Sequence, residues 1–473
     1  MSLCRCLFLL AFIAATSGVN PGVNVRLTAK GLEYGRQLGM AGIQQKLRTI
    51  KIPDMSGKDR VRFIGKVKWR VSNMRMVSVG LPKSAVTPVP GTGIRMSISN
   101  AYLRVQGNWR VKVLRIIRKS GSFDLSVSGL SMSPTLAIKS DGTGRPAVST
   151  VNCAANIGST SVKLRGGPRW LFSLFKKKIN SAVQRAMQKQ ICPLVAKALS
   201  GVNPQLKTLN VVAKVDKHAE IEYSMVSSPT VSTSSIDLSL KGEFYNIGKH
   251  QEPPFRPVAF SLPPQTKNMM YVGMSAFTFN SAGFVYHRAG VLSLNITDDM
   301  IPRSSPVRLN TRTLGSFIPE IARRFPGLLV KMTVKTSKTP TVTFLPNNMT
   351  VEAAGTVSAF AVHSNNTLSP LFVLNLDTSV SAKMFVSGVK LAGSVTLNRM
   401  SLTLQRSNVG EFQVTLLNSI LQMVLRVVVI PQVNVQLQKG YPLPSLGKMR
   451  LVNTELQVLK DYMMIGTDVQ FTG

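Results

Sequence analysis

The sequence predicts an α+β fold of antiparallel strands with a few long helices, organised as two similar halves. Three observations predict it. Apolar and polar residues alternate with period two over most of the chain. Helical spacing is confined to a few segments. Both halves run in one order: helix, many strands, long helix.

Taken in order, residues 1–18 read as a secretory signal. Arg5 gives a positive start, Leu7 to Ala15 form an apolar run, and the small residues Ala14, Ala15, Ser17 and Gly18 follow. The run is short for a bilayer span, and a membrane anchor is the competing reading. Cleavage is expected near Gly18/Val19. Next, residues 28–50 carry Leu32, Gly35, Gly39, Ile43, Leu47 and Ile50 on one helical stripe, with Thr28 as N-cap. Its glycines cost helix propensity. They are expected to let a sheet or a bound acyl chain approach closely, so Leu32, Gly35, Gly39 and Ile43 are candidate pocket residues.

Residues 61–71 read as one strand, with Val61, Phe63, Val67, Trp69 and Val71 on one face and Arg62, Lys66, Lys68 and Arg70 on the other. Similar alternation surrounds Ile94, Trp109, Phe123 and Ile236, and recurs at Leu374, Val395 and Leu402. A strand pair follows Arg104, with its tip expected near Ser120-Gly121. Long helices are expected at 169–199 and 411–437, and a shorter one at 275–289. Residues 412–430 are the most apolar segment, but Gln413, Asn418, Gln422 and Arg426 make it an amphipathic helix rather than a span. Ile52-Pro53-Asp54-Met55 and Asp299-Met300-Ile301-Pro302 follow the first helix of each half. Their likeness supports a duplication, with chance as the alternative. A proline-rich connector holds Pro253, Pro254, Pro257, Pro263 and Pro264. The expected divisions are 1–18, 19–210, 211–266 and 267–473.

Loss of the signal removes Cys4 and Cys6, leaving Cys153 and Cys192. In an oxidising compartment these are expected to pair, with two free thiols as the alternative. Three N-glycosylation sequons begin at Asn295, Asn348 and Asn365. If used, they mark exposed turns of a face not reserved for binding.

Charge narrows the function. The chain holds 58 Lys+Arg against 20 Asp+Glu, or +38, yet 44% of its residues are hydrophobic. A disordered basic tail is excluded by that apolar content. Residues 1–200 hold 33 Lys+Arg and 5 Asp+Glu, or +28; the remainder carries +10. The first half is therefore expected to seek polyanions. Enzymatic chemistry finds little support. The four histidines are scattered, and no His-Glu-x-x-His, Cys-x-x-Cys or Gly-x-Ser-x-Gly is present.

Three basic segments in the first half interleave cations with large apolar groups. The first holds Arg48, Lys51, Lys58, Arg60 and Arg62. The second holds Arg104, Arg110, Lys112, Arg115, Arg118 and Lys119 around Trp109, Leu114, Ile116 and Ile117. The third holds Lys163, Arg165, Arg169, Lys176, Lys177 and Lys178 around Trp170, Phe172 and Phe175. Duplex DNA needs mainly cations. A ligand with phosphates beside acyl chains needs both kinds of group. Solvated strand and helix faces are the bland alternative.

Several stretches resemble one known family. They are Val19-Asn-Pro-Gly-Val-Asn-Val-Arg-Leu27, Ile52-Pro-Asp54, Ser97-Ile-Ser-Asn-Ala101, Ser120-Gly-Ser-Phe-Asp-Leu-Ser126, Lys241-Gly-Glu-Phe-Tyr245, Asp298-Asp-Met-Ile-Pro302 and Leu437-Gln-Lys-Gly-Tyr-Pro-Leu-Pro444. In this order they are similar to the bactericidal permeability-increasing and lipopolysaccharide-binding protein family. The resemblance implies an elongated boomerang of two barrels, each a twisted antiparallel sheet with two helices, joined by a central sheet. It implies an apolar phospholipid pocket in each barrel, a Cys153–Cys192 disulfide, and no other cofactor. It also implies a secreted protein, with granule storage open, that binds lipid A of lipopolysaccharide and damages Gram-negative outer membranes. The implied lipopolysaccharide cations are Arg48, Lys51, Arg110, Lys112, Arg115, Arg118, Lys119, Lys163, Arg165, Arg169, Lys176, Lys177 and Lys178. A monomer without nucleic-acid partners is expected. The alternatives are delivery of the lipid to a receptor, phospholipid or neutral-lipid transfer, and heparin or nucleic-acid binding.

Overall fold

The computed structural model describes residues 19–49, 52–61, 65–113, 117–167, 169–444 and 449–471. The expected signal 1–18, Lys51, Arg62, Phe63, Leu114, Arg115 and Ile116 lie outside them. The described fold is mixed α+β. Two seven-stranded antiparallel sheets, one in each half, accompany a six-stranded sheet that takes strands from both.

The N-terminal sheet orders Met55–Val61, Gly65–Gly80, Gly93–Val113, Ile117–Ser140 and Pro146–Asn156, with Lys83–Val89 and Ser159–Arg165 paired alongside. The C-terminal sheet orders Ser293–Ile296, Leu329–Thr336, Asn348–Val362, Leu368–Ser387, Lys390–Ser407 and Tyr441–Pro442, with Thr341–Leu345 alongside. Alternation builds both: inward Val67, Val71, Val111 and Leu125 are buried, while their polar neighbours face outward.

Each sheet is covered by a long helix. Arg169–Ser200 packs on Pro146–Asn156 and is tied to it by the Cys153–Cys192 disulfide, with Cα atoms 5.8 Å apart. In the second half the helical run 414–438 sends Leu417, Ile420, Leu421, Val424, Leu425 and Val428 into the core. That run, Val414–Gln438, is long and apolar enough to cross a membrane by length and composition. Its buried stripe is the amphipathic use expected from the sequence.

In the central sheet the order is Thr230–Val231, Ser235–Leu240, Val23–Thr28, Met270–Ser275, Tyr462–Phe471 and Met449–Val458. The first strand thus lies between strands from the middle of the chain. The last hairpin closes against the first helix, Ala29–Thr49. Lys30 Nζ meets Asp468 at 2.9 Å, and the Phe471 N–H donates to Tyr34 Oη at 3.1 Å. Thr28 caps this helix: its Oγ1 accepts from the Gly31 N–H at 3.4 Å and donates to Asn268 O at 2.8 Å.

Three expectations need correction, and the one for the helix glycines is narrowed. The strand at 61–71 is two strands, because Val61 pairs with Gly65 and the chain reverses between them. The strand pair after Arg104 closes with Val113 opposite Ile117, so its end comes before Ser120-Gly121. Gly121 lies inside a strand, where a Cβ would stand 1.9 Å from Arg165 O; it serves close approach, not a turn. On the first helix, a Cβ placed at Gly35, Gly39 or Gly42 meets nothing within 4 Å beyond its own helix turn. The glycine in close approach is Gly31, where a Cβ would stand 2.4 Å from Met269 O, just before the strand Met270–Ser275. Finally, the proline-rich segment is a strap rather than a free connector. Arg26 donates to Leu262 O and Pro263 O, Asn24 to Phe260 O, and Phe255 packs edge-on against Phe277 and Phe284.

Candidate anion-binding surface

The hairpins of the N-terminal sheet place cations in register. Lys58 pairs with Lys68, Lys68 with Lys112, and Lys112 with Arg118. Paired residues share a face, so four cations form one row across four strands, spanning about 14 Å at the usual strand spacing. The row lies on the outer face, because the alternate residues Val67, Val111 and Val113 are buried. Arg60 opposite Lys66 continues it toward the hairpin end. Arg70 opposite Arg110 forms the next row inward. Among the described residues no acid reaches Lys58, Lys68, Arg110, Lys112 or Arg118. Arg70 is paired, with Asp54 at 2.7 Å.

Further along this face sits one buried acid. Asp124 accepts from Gln106 Nε2 at 2.6 Å and Arg165 Nη2 at 3.0 Å, with Arg104 at 3.9 Å. The Gln106 hydrogen bond, aided by Arg165, Arg104 and Lys163, holds its carboxyl below the usual aspartate range. Arg165 is therefore a paired cation, whereas Lys163, opposite Asp124, stays exposed.

Aromatic groups pack on the opposite, core-facing side of the sheet. Trp109 Nε1 donates to Arg165 O at 3.1 Å, and its ring meets Phe172 edge-on at 6.0 Å. That contact brings the start of the long helix, and hence Arg169, beside the second basic segment. The side chains of Arg169, Lys176, Lys177, Lys178 and Ile43 lie outside the described residues. Lys119 pairs with Val111 and so stands on the core-facing side, still exposed; it does not share the face of Arg118. Arg48 is exposed in the last turn of the first helix.

The sequence reading puts Lys66 and Lys68 on the polar face of a single strand and leaves them out of the candidate cations. The signal was Gly65, whose φ of 84° suits a chain reversal. Once the reversal is placed, Lys68 falls between Lys58 and Lys112. Elsewhere, the three sequon asparagines are all exposed. Asn348 and Asn365 lie at hairpin ends, whereas Asn295 is within a strand rather than a turn.

Comparison with known proteins decides the kinship. The models of the LBP / BPI / CETP family match the N-terminal domain over residues 31–204 and the C-terminal domain over 213–471. The chain belongs to this family. It is 69% identical to a bactericidal permeability-increasing protein of Sebastes schlegelii over 100% of both chains. It is 34% identical to human (Homo sapiens) lipopolysaccharide-binding protein, over 96% of this chain and 94% of that one. A crystal structure of lipopolysaccharide binding protein superposes with a TM-score of 0.62 at 30% identity, covering 96% of this chain and 100% of that one. The family architecture of two domains accords with the two seven-stranded sheets.

Proposed function

We propose that this protein is secreted, binds lipid A of Gram-negative lipopolysaccharide through the outer face of its N-terminal sheet, and permeabilises the bacterial outer membrane. The observation that carries the reading is the row Lys58–Lys68–Lys112–Arg118, which no acid reaches among the described residues. Four cations in register suit a surface of closely spaced phosphates, and the half-buried Phe172, packed edge-on against buried Trp109, lies at the start of the neighbouring helix. The cations displace divalent ions that bridge lipid phosphates; apolar groups then disorder the acyl layer. The kinship with proteins named for bactericidal permeability increase and lipopolysaccharide binding supports it.

The same reading assigns no reaction to the protein. It gives Leu32, Gly35, Gly39 and Ile43 to an apolar phospholipid pocket, and it keeps the divisions 19–210, 211–266 and 267–473. It treats the protein as a monomer. Gly35 and Gly39 are exposed with open space beside them, which leaves room for an acyl chain against this helix face.

Lipid A affinity is to be measured for the wild type and for Lys58→Gln/Lys68→Gln/Lys112→Gln/Arg118→Gln. A large, salt-sensitive loss is expected; equal affinity overturns the assignment. Delivery of the lipid to a receptor is the second reading, favoured by the likeness to the solved lipopolysaccharide binding protein. Bacterial killing measured beside receptor signalling separates the two.

A further inference from the structure

The C-terminal half holds a second basic surface, and it carries an apolar row. Residues 303–338 contain eight Lys+Arg and one acid, Glu320. This one stretch thus supplies +7 of the +10 carried by residues 201–473. It includes the helices Thr311–Gly315 and Pro319–Arg324 and the strand Leu329–Thr336.

Register places apolar side chains together there. Leu329 stands opposite Val362, and Val362 opposite Leu368. All three share the outer face, since Val330 and Ala361 on the alternate face are buried. Leu329 is 54% exposed and Leu368 43%. The next row on this face is Lys331, Phe360 and Pro370. The ring edge of His363 meets Phe325 at 6.2 Å, which brings Arg323 and Arg324 to the same end. Both arginines lean on Glu320 and hold its carboxyl down at about 2, so a single ionised acid offsets two cations.

We propose that the Leu329–Val362–Leu368 row with Lys331, Arg323 and Arg324 is a docking surface for an anionic lipid bilayer, separate from the N-terminal sheet. Two exposed leucines flanking a half-buried valine, in register on three strands, form an apolar patch of the kind that marks an interaction site. The cations beside the row match acidic headgroups, while the aliphatic groups reach the acyl boundary. An acidic protein partner fits less well. Protein interfaces concentrate on aromatic anchors in pockets, and this row is aliphatic and lies on an open sheet face.

The test uses the full chain with the N-terminal row neutralised by Lys58→Gln, Lys68→Gln, Lys112→Gln and Arg118→Gln. Asn365→Gln is carried throughout, because a glycan on the 363–367 turn stands beside the row. Binding is measured to vesicles of one part phosphatidylglycerol to two parts phosphatidylcholine, and to phosphatidylcholine alone. This background is expected to bind the acidic vesicles in a salt-sensitive way. Adding Leu329→Ser and Leu368→Ser is expected to lower that binding about tenfold with an unchanged melting temperature. Lys331→Gln is expected to weaken binding and its salt dependence without touching either leucine. A background that fails to bind acidic vesicles overturns the proposal. So does binding indifferent to both leucines, the result expected if an acidic protein is the true partner.

Discussion

Lys68 and Lys112 stand directly opposite each other on adjacent antiparallel strands, both on the outer face of the N-terminal sheet. Like charges in this position destabilise a sheet by a few tenths of a kcal/mol. Lys58 and Arg118 extend the repulsion on either side. Lys112→Gln is therefore expected to raise stability slightly without ligand and to lower lipid A affinity. Denaturant melts and lipid binding on the same preparation check both signs. A variant that is destabilised and binds normally removes the row from the site.

The glycines of the first helix give a paired prediction. Gly39 has open space where a Cβ would go, so Gly39→Ala is expected to stabilise by about 0.5–1 kcal/mol through helix propensity. Gly31→Ala drives a methyl to within 2.4 Å of Met269 O and is expected to cost about 1–3 kcal/mol. Gly39→Leu is further expected to reduce co-purifying phospholipid, read by mass spectrometry of the extract. Unchanged lipid content would take this helix face out of the pocket.

These glycines also show what was legible in the sequence. Helix ends were readable because periodicity and caps are local: 28–50 and 169–199 were expected, and Ala29–Thr49 and Arg169–Ser200 are found. Hairpin reversals were less so. Phe63 continues the alternation of Val61 and Val67, so nothing in the period betrays that Val61 and Gly65 face each other on separate strands. Which cations share a face depends on register across strands distant in sequence, and one residue of shift moves every side chain to the other face. That is why Lys119 was grouped with Arg118, and why Lys68 was overlooked. The strap of prolines was unreadable because its partners, Asn24 and Arg26, lie about 236 positions away.

Cys153–Cys192 closes a loop of 39 positions between a strand and the long helix. Such a loop is worth about 4 kcal/mol in the chain-entropy model. Cys153→Ser/Cys192→Ser is expected to lose stability of that order. Reducing agent is expected to reproduce the loss in the wild type and leave the variant unmoved, which denaturant titration checks.

Glu243, in the Lys241-Gly-Glu-Phe-Tyr245 segment, is 5% exposed, and its carboxyl is raised above the usual glutamate range by burial. Glu222 opposite it and nearby Glu252 raise it further, while Tyr245 and Lys241, at 3.8 Å, pull it down. A raised folded value means stability is fully present below the ordinary glutamate range and lost as pH rises through the folded value. Glu243→Gln is expected to lessen that loss, so the variant gains on the wild type between acid and neutral pH. Asp216 and Asp468 are shifted the opposite way and are common to both proteins. The difference between the two melts, rather than either alone, is the test. A gap that does not change with pH rules out the carboxyl as its source.

Asp124 restrains the basic face from within. It holds Arg165 at 3.0 Å and Arg104 at 3.9 Å, two cations that otherwise point to solvent from the same sheet face as Lys112. Asp124→Asn keeps the shape but removes the charge that binds them. Stability is expected to fall, because the Gln106 hydrogen bond at 2.6 Å loses its anionic acceptor. The depressed carboxyl contributes stability above the ordinary aspartate range and loses it as pH falls through the folded value. The stability gap between wild type and variant is therefore expected to close in strong acid. Affinity for lipid A is expected to rise by roughly fivefold at low salt as Arg104 and Arg165 are released, and the gain to vanish at high salt. Weaker or unchanged binding at low salt would mean that phosphates do not reach this part of the face, which would confine the site to the Lys58–Arg118 row.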